Sequence, residues 1–392
     1  PDLKSEPVRH RLLILRTRRK KGVGNVRVRG AEKPVRRQQA ANEGKSFQGS
    51  TILGSGFVLS PEGAQRLVDK DQCNSLVLFP YLSGEDVNSD MNQAPRRWVI
   101  NFRNWPLDRN KIPPNYSDPV ASDFPDCLTI VEEKVKPTRL KNKVKSRREL
   151  WWQFTRPTLD LYHSISGEKY VIVASRVTKY VVHAIVPCNY VYDVGTNVIL
   201  FSYQRFAILS ASLFDVWVHK YASTLETRIR YTLTDCFETF PFPEVNDDLE
   251  KIGQEYHQHR QAIMKSRQQG LTTTYNRFHN EDENDSDIVK LRELHIQTDN
   301  AVARAYGWTD LSLEHDFHET RQGIRFTLSE SARREVLDRL LRLNHERYAE
   351  EVALGLHDKG KKKKTTRKPR KTKIGKGKKQ ENGKQMGIFS EK

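Results

Sequence analysis

The sequence predicts an α+β fold: a mixed-sheet domain over residues 41–243, a helical domain over 244–357, and a disordered Lys/Arg-rich tail over 358–392. Three observations lead there. Up to Pro243, short β-rich runs alternate with Gly, Pro, Asn and Asp punctuation. After the turn Phe240-Pro241-Phe242-Pro243 the apolar spacing becomes helical. Beyond about residue 358 lysine and arginine replace nearly all apolar residues, so no core can form there. Residues 1–40 are dense in arginine and lysine and read as a basic linker or truncated remnant.

In chain order, the spacing predicts strands over 98–102, 170–174, 180–186 and 197–201. Phe206, Leu209, Leu213, Val216 and Trp217 recur every three or four residues, which places one helix there, running on to Lys220. Another should start near Asp247, with Glu250 in capping-box position, carry Ile252, Tyr256, Ile263 and Met264 inward, and stop at Gly270. A further helix runs from near Asp285 to Gly307, burying Ile288, Leu291, Leu294, Val302 and Ala305. The last follows Thr327 and Glu330, again in capping-box spacing, and carries Val336, Leu337, Leu340, Leu341 and Leu343. No internal repeat, signal peptide or apolar run of roughly 20 residues is present, so a cytoplasmic protein is expected. Cys73, Cys127, Cys188 and Cys236 are scattered and suggest neither zinc site nor disulfide framework.

The formal charge of +18 points to a polyanionic partner, but it is unevenly placed. Residues 1–40 carry +10 and residues 359–392 carry +13, leaving the body at −5. The charge therefore argues for nucleic-acid contact by the ends alone, and the centre needs its own argument. The first residue is Pro1, not Met, which reads as a piece of a longer polypeptide or a gene without its front end.

No residue pattern supports a catalytic centre. Gly49, Gly54 and Gly56 lack the strand-turn-helix context of a cofactor loop and read as glycines between strands. Pro113-Pro114-Asn115-Tyr116 scrambles the polar-Pro-Pro-aromatic order that holds a flipped adenine, and reads as a surface turn. Glu132-Glu133-Lys134 reads as a solvated helix face, and the twelve histidines show no metal-ligand spacing. Two stretches stand out instead. Lys134, Lys136, Arg139, Lys141, Lys143, Lys145, Arg147 and Arg148 precede Trp151-Trp152; such a run either neutralises phosphates or forms a solvated basic helix. Ser175-Arg176-Val177-Thr178-Lys179 is a polar interruption between apolar strands that could reach base edges or could be an ordinary hairpin.

Ordered blocks are more specific. Ser46-Phe47-Gln48-Gly49-Ser50, Leu78-Phe79-Pro80-Tyr81-Leu82 with Gly84-Glu85-Asp86 and Asn88, and Arg97-Trp98-Val99-Ile100-Asn101-Phe102 open the series. Val131 to Pro137, Trp151-Trp152, Ser175-Arg176-Val177, Arg230-Tyr231-Thr232 and Phe237 to Pro243 continue it. Gly270-Leu271-Thr272, Tyr275-Asn276-Arg277-Phe278-His279 and Ala305-Tyr306-Gly307-Trp308 extend it into the helical part. Together they resemble the target recognition domain and C-terminal helical domain of MmeI-like restriction-modification adenine methyltransferases. The resemblance implies a region that reads duplex DNA while a preceding domain, often behind a nuclease, methylates adenine. No cofactor is expected in this chain, and S-adenosylmethionine is expected for the domain it lacks. The resemblance favours phosphate contacts by Lys136, Arg139, Lys141 and Lys143, and base readout by Arg176, Thr178 and Lys179. Arg277 either meets a phosphate or caps a helix, and residues 237–243 are expected to pack the domain junction. Alternatives are a stand-alone specificity subunit that recruits a separate methyltransferase or nuclease, and a nonspecific basic-tailed nucleic-acid binder.

Overall fold

The computed structural model describes residues 36–113, 115–225 and 228–357. The expected tail and residues 1–35 of the expected linker lie outside the described residues. Residues 36–40, also placed in that linker, belong to the folded body. Arg37 and Gln39 hydrogen-bond Asn344, and the amides of Ala40 and Ala41 donate to the Glu351 carboxylate at 2.8 and 3.0 Å.

The fold is α+β. Tyr170–Ser175 is the continuous apolar run Val-Ile-Val-Ala, which suits a strand covered on both faces. It pairs antiparallel with Ala184–Pro187 on one side and Thr196–Leu200 on the other, and Ser46–Gln48 closes that sheet. A second sheet is ordered Val58–Leu59, Arg97–Ile100, Leu78–Leu82 and Val191–Tyr192, its last pair parallel. Residues 184–200 thus serve both sheets: they leave the first, add an edge strand to the second, and return. Gly49 sits where this crossing is tightest, since a Cβ there would lie 2.1 Å from the Asp193 carbonyl oxygen.

Each sheet has its own core. Phe57, Val99, Phe102, Cys127, Val131 and Phe154 centre the smaller one, with Trp151 and Trp152 at its edge. The larger runs from Leu82 through the first sheet and the helices to Leu340, so the boundary expected after Pro243 does not separate two cores. Across it the helix Tyr203–Ser210 packs on Asp247–Ser266 and on Ser286–Ala305.

Most sequence expectations were met, and the departures have local causes. The expected strand over 180–186 is shorter and later, at Ala184–Pro187. The helix expected through Lys220 is two, Tyr203–Ser210 and Ser212–Tyr221, separated at Ala211, whose ψ of 148° is extended. The freed Ser212 amide donates to the buried Asp299 carboxylate at 2.6 Å, so a tertiary acceptor compensates the break. Asn246 caps Asp247–Ser266 through the Leu249 amide, which leaves Glu250 one residue past capping-box position. That helix ends before Gly270, which instead opens an unforeseen helix, Leu271–Phe278. A Cβ on Gly270 would lie 2.4 Å from the Ser89 backbone, so this glycine lets the helix dock there. The strands Asp316–Thr320 and Gly323–Thr327 form a hairpin within the domain expected to be helical, in a stretch for which no element was expected. Thr327 therefore ends a strand, and Ser329 caps the final helix, Glu330–Ala353, by accepting from the Ala332 amide.

Gly253 provides a direct test of the packing. Alanine there would gain about 1 kcal/mol of helix propensity, but its Cβ would lie 2.3 Å from the Tyr203 carbonyl oxygen. Gly253→Ala should therefore lower the unfolding free energy by about 1–3 kcal/mol in urea titrations. Unchanged or increased stability would show that the two helices part freely.

Candidate DNA interface

The basic run folds as two short helices, Lys136–Leu140 and Lys145–Glu149, joined by a loop. The loop is pinned from beneath: the Arg148 guanidinium donates to the carbonyls of Asn142 at 2.7 Å and Lys143 at 3.1 Å. Asn142 also accepts from the Val144 amide at 3.0 Å. Lys141 and Lys143 project from this ordered loop into solvent. Lys136 is more committed, pairing with Glu132 and holding its ammonium 4.7 Å from the centre of the Trp151 ring.

Arg139 departs from its expected role. It is 2% exposed, and its guanidinium donates to the carbonyls of Leu53 at 2.9 Å, Ile52 at 2.7 Å and Gln153 at 3.2 Å. Burial, and secondarily Arg147, lower its pKa. A cation that satisfies three carbonyls beneath the surface is a staple for segment 51–53, not a phosphate contact. Thr178 is also buried, its hydroxyl donating to the Tyr180 carbonyl at 2.7 Å, and is not presented to a base. Arg277 is held by Glu283 at 2.7 and 2.9 Å and by Asp285 at 2.7 Å, so its charge is already neutralised. Lys179 is exposed but leans toward the helical part, donating to Asn276 at 2.7 Å.

Arg176 occupies the other focus. Its amide donates to the Gly195 carbonyl and its carbonyl accepts from the Tyr231 amide, both at 2.8 Å, which fixes the backbone at the sheet's end. Its side chain lines a depression of about 250 Å³ together with Gln48, Arg156, Asn197, Thr232 and Glu238. Burial lowers the Arg176 pKa, and the nearby cations Arg230 and Arg156 lower it further. Arg156 is itself oriented by Gln48, at 3.1 Å. Three sequence-distant blocks, around Gln48, Arg176 and Thr232, converge here on two guanidiniums, Arg176 and Arg156, with the carboxylates Asp160 and Glu238 in the same lining and Arg230 nearby. Sequence reasoning did not single out Gln48, Arg156, Arg230 and Thr232 as site residues. The signal available was their position inside or beside the blocks quoted above.

The depression and the basic loop share a support. Gln48 lines the first, while Arg139 ties the second to Leu53 and Ile52 only a few residues further on. Thr51 between them is anchored by reciprocal backbone bonds to Arg156 at 2.9 and 3.2 Å.

The family model of the MmeI target recognition domain matches residues 22–244. This chain belongs to that family. The match encloses the basic loop, the depression and all the expected DNA contacts except Arg277. A search of curated proteins finds no match. Among solved structures, one described as the type IIL restriction-modification enzyme MmeI in complex with DNA superposes with a TM-score of 0.54 at 16% identity. The similarity covers 80% of this chain and 37% of that chain, so the MmeI fold is shared while this chain spans well under half of that length.

Gly49 abuts the Asp193 backbone, and a Cβ on Gly56 would lie 2.5 Å from Lys134, so both are filled by protein contacts. The Tyr116 amide donates to the Pro113 carbonyl at 3.0 Å and its hydroxyl to the Pro119 carbonyl at 3.2 Å. Among the described residues no group of three His, Cys, Asp or Glu could hold a metal, and no helix is long and apolar enough to cross a membrane.

Arg139 and its neighbours should behave oppositely in unfolding experiments. Arg139→Ala leaves three carbonyls without their charged donor and should cost about 3 kcal/mol. Lys141→Ala and Lys143→Ala should stay within about 0.5 kcal/mol of the parent. Equal tolerance at all three positions would place Arg139 at the surface.

Proposed function

We propose that this chain reads a specific sequence in duplex DNA as the recognition region of a restriction-modification adenine methyltransferase. The observation that carries this reading is the target recognition domain match, because it encloses the depression where the blocks around Gln48, Arg176 and Thr232 meet. On this reading the exposed Lys141 and Lys143 bind phosphates and set the register, while Arg176, oriented from the sheet's end, makes a bidentate contact with a base edge. Arg156 and Arg230 supply the surrounding positive potential. Transfer of a methyl group from S-adenosylmethionine to adenine belongs to a catalytic region outside this chain. That region is either another part of one polypeptide or a separate subunit.

Selection of binding sites from a random duplex pool by the purified chain tests the proposal, and one enriched sequence is expected. Lys141→Ala with Lys143→Ala should weaken binding to every sequence and reduce the dependence of log K on log salt by about two contacts. Arg176→Ala should cost about 1–3 kcal/mol on the enriched site and relax one position of it. Enrichment of no sequence, or a salt dependence unmoved by the lysine pair, would overturn the assignment. No methyl transfer by the chain alone is expected.

A further inference from the structure

A second concavity, larger than the depression at Arg176, lies where the polar segment after Thr178 meets the helices and the 316–327 hairpin. Its volume is about 390 Å³, within the range of small-molecule sites. The segments around it are distant in sequence, and Val182, Val216, Ile229 and Phe278 are among its apolar lining.

Buried polar atoms without hydrogen-bond partners of good geometry gather around it. They are Ser210 Oγ, both ring nitrogens of the fully buried His183, His279 Nδ1 and Arg333 Nε. These atoms have almost no accessible surface and lie behind the cavity wall, so the groups offered to an occupant are the charged and apolar side chains of the lining. Burial, and then neighbouring arginines, push the His183 and His279 pKa values down to about 3, leaving neutral rings that can both donate and accept.

Among the charged groups, Asp215 lies 3.4 Å from His219, whose other nitrogen meets the Gln322 amide at 3.1 Å. The Asp215 side chain remains 40% exposed. Arg325 and Arg333 also line the cavity; their hydrogen bonds go to backbone carbonyls, of Ile324 at 3.1 Å and of Glu319 at 3.2 Å, and Arg325 lies 5.1 Å from the centre of the Tyr180 ring. Arg334 is already paired with Glu330. The cavity lining therefore combines one carboxylate, two guanidiniums whose hydrogen bonds go to backbone carbonyls, and apolar side chains.

We propose that this cavity binds a nucleoside monophosphate, its phosphate on Arg325 and Arg333, its base against the apolar lining, and an amino or hydroxyl donor on Asp215. Inorganic phosphate alone would leave the apolar lining and Asp215 unused. A neutral nucleoside would leave the arginines unused. The site is separate from the Arg176 depression and does not depend on the DNA-reading proposal.

Calorimetric titration of the full chain with AMP, GMP, CMP and TMP, and with adenosine and inorganic phosphate as partial probes, tests this. At least one nucleotide should bind at a stoichiometry of one, more tightly than either partial probe. Arg325→Ala should weaken nucleotide and phosphate alike by about tenfold or more, about 1.4 kcal/mol. Asp215→Asn should weaken the nucleotide but not phosphate. Lys141→Ala with Lys143→Ala should leave nucleotide binding intact. Photo-crosslinking of the unaltered chain with an azido-AMP should label peptides containing Tyr275–His279 or Arg321–Arg325, an assay that needs no variant to fold. No saturable binding, binding indifferent to Arg325 and Asp215, or labelling confined to the surface around Arg176 and Lys141 would each overturn the proposal.

Discussion

The segment from Phe237 to Pro243 ties the larger core to the entering segment and the last helix, because its rings and its carbonyls are buried at once. Phe237 and Phe240 are fully buried, with Phe240 packing edge-on to Phe214 at 4.9 Å and to Trp217 at 6.0 Å. Asn42 donates to the carbonyls of Phe237 and Phe240, Asn344 to that of Thr239, and Arg347 to that of Phe242. Buried carbonyls must find donors, so this turn recruits the entering segment and the last helix to the same place. The residues expected to pack the junction do so, but they join parts of one core.

The recognition surface inherits its geometry from that arrangement. Thr232 and Glu238, which line the Arg176 depression, immediately precede or belong to the anchored turn. The Asn197 side chain, from the strand Thr196–Leu200, donates to the Tyr231 carbonyl at 2.9 Å. The charge pattern then becomes intelligible. A body with formal charge −5 presents cations through local geometry: a pinned loop at Lys141 and Lys143, and a guanidinium cluster at Arg176. Where a basic residue is buried, as at Arg139, it serves the fold beneath that surface.

The α+β class, the helix starts near Asp247 and Asp285, the strand at 170–174 and the ordered blocks were all legible from residue pattern. Periodicity is local, so sequence neighbours suffice to reveal it. The break at Ala211 was not, because its compensation is Asp299, 87 positions from Ser212. The hairpin at 316–327 lacks a clean two-residue alternation and sits among helices, so its pattern alone did not separate it from them. Gly270 has the spacing of a helix stop, yet what it accommodates is the Ser89 backbone of another element.

The same division runs through the site. Sequence by itself determined that cations cluster between Lys134 and Arg148, that Arg176 interrupts apolar strands, and that the family's blocks occur in order. Tertiary structure alone decided which cations are available. Lys141 and Lys143 face water, Arg139 is consumed by three carbonyls, Arg277 by two carboxylates, and Thr178 by its own loop. The physical reason is that a side chain's identity fixes what it can bond to, whereas its competition with distant backbone and charge decides what it does bond to. That competition is invisible until the chain has folded.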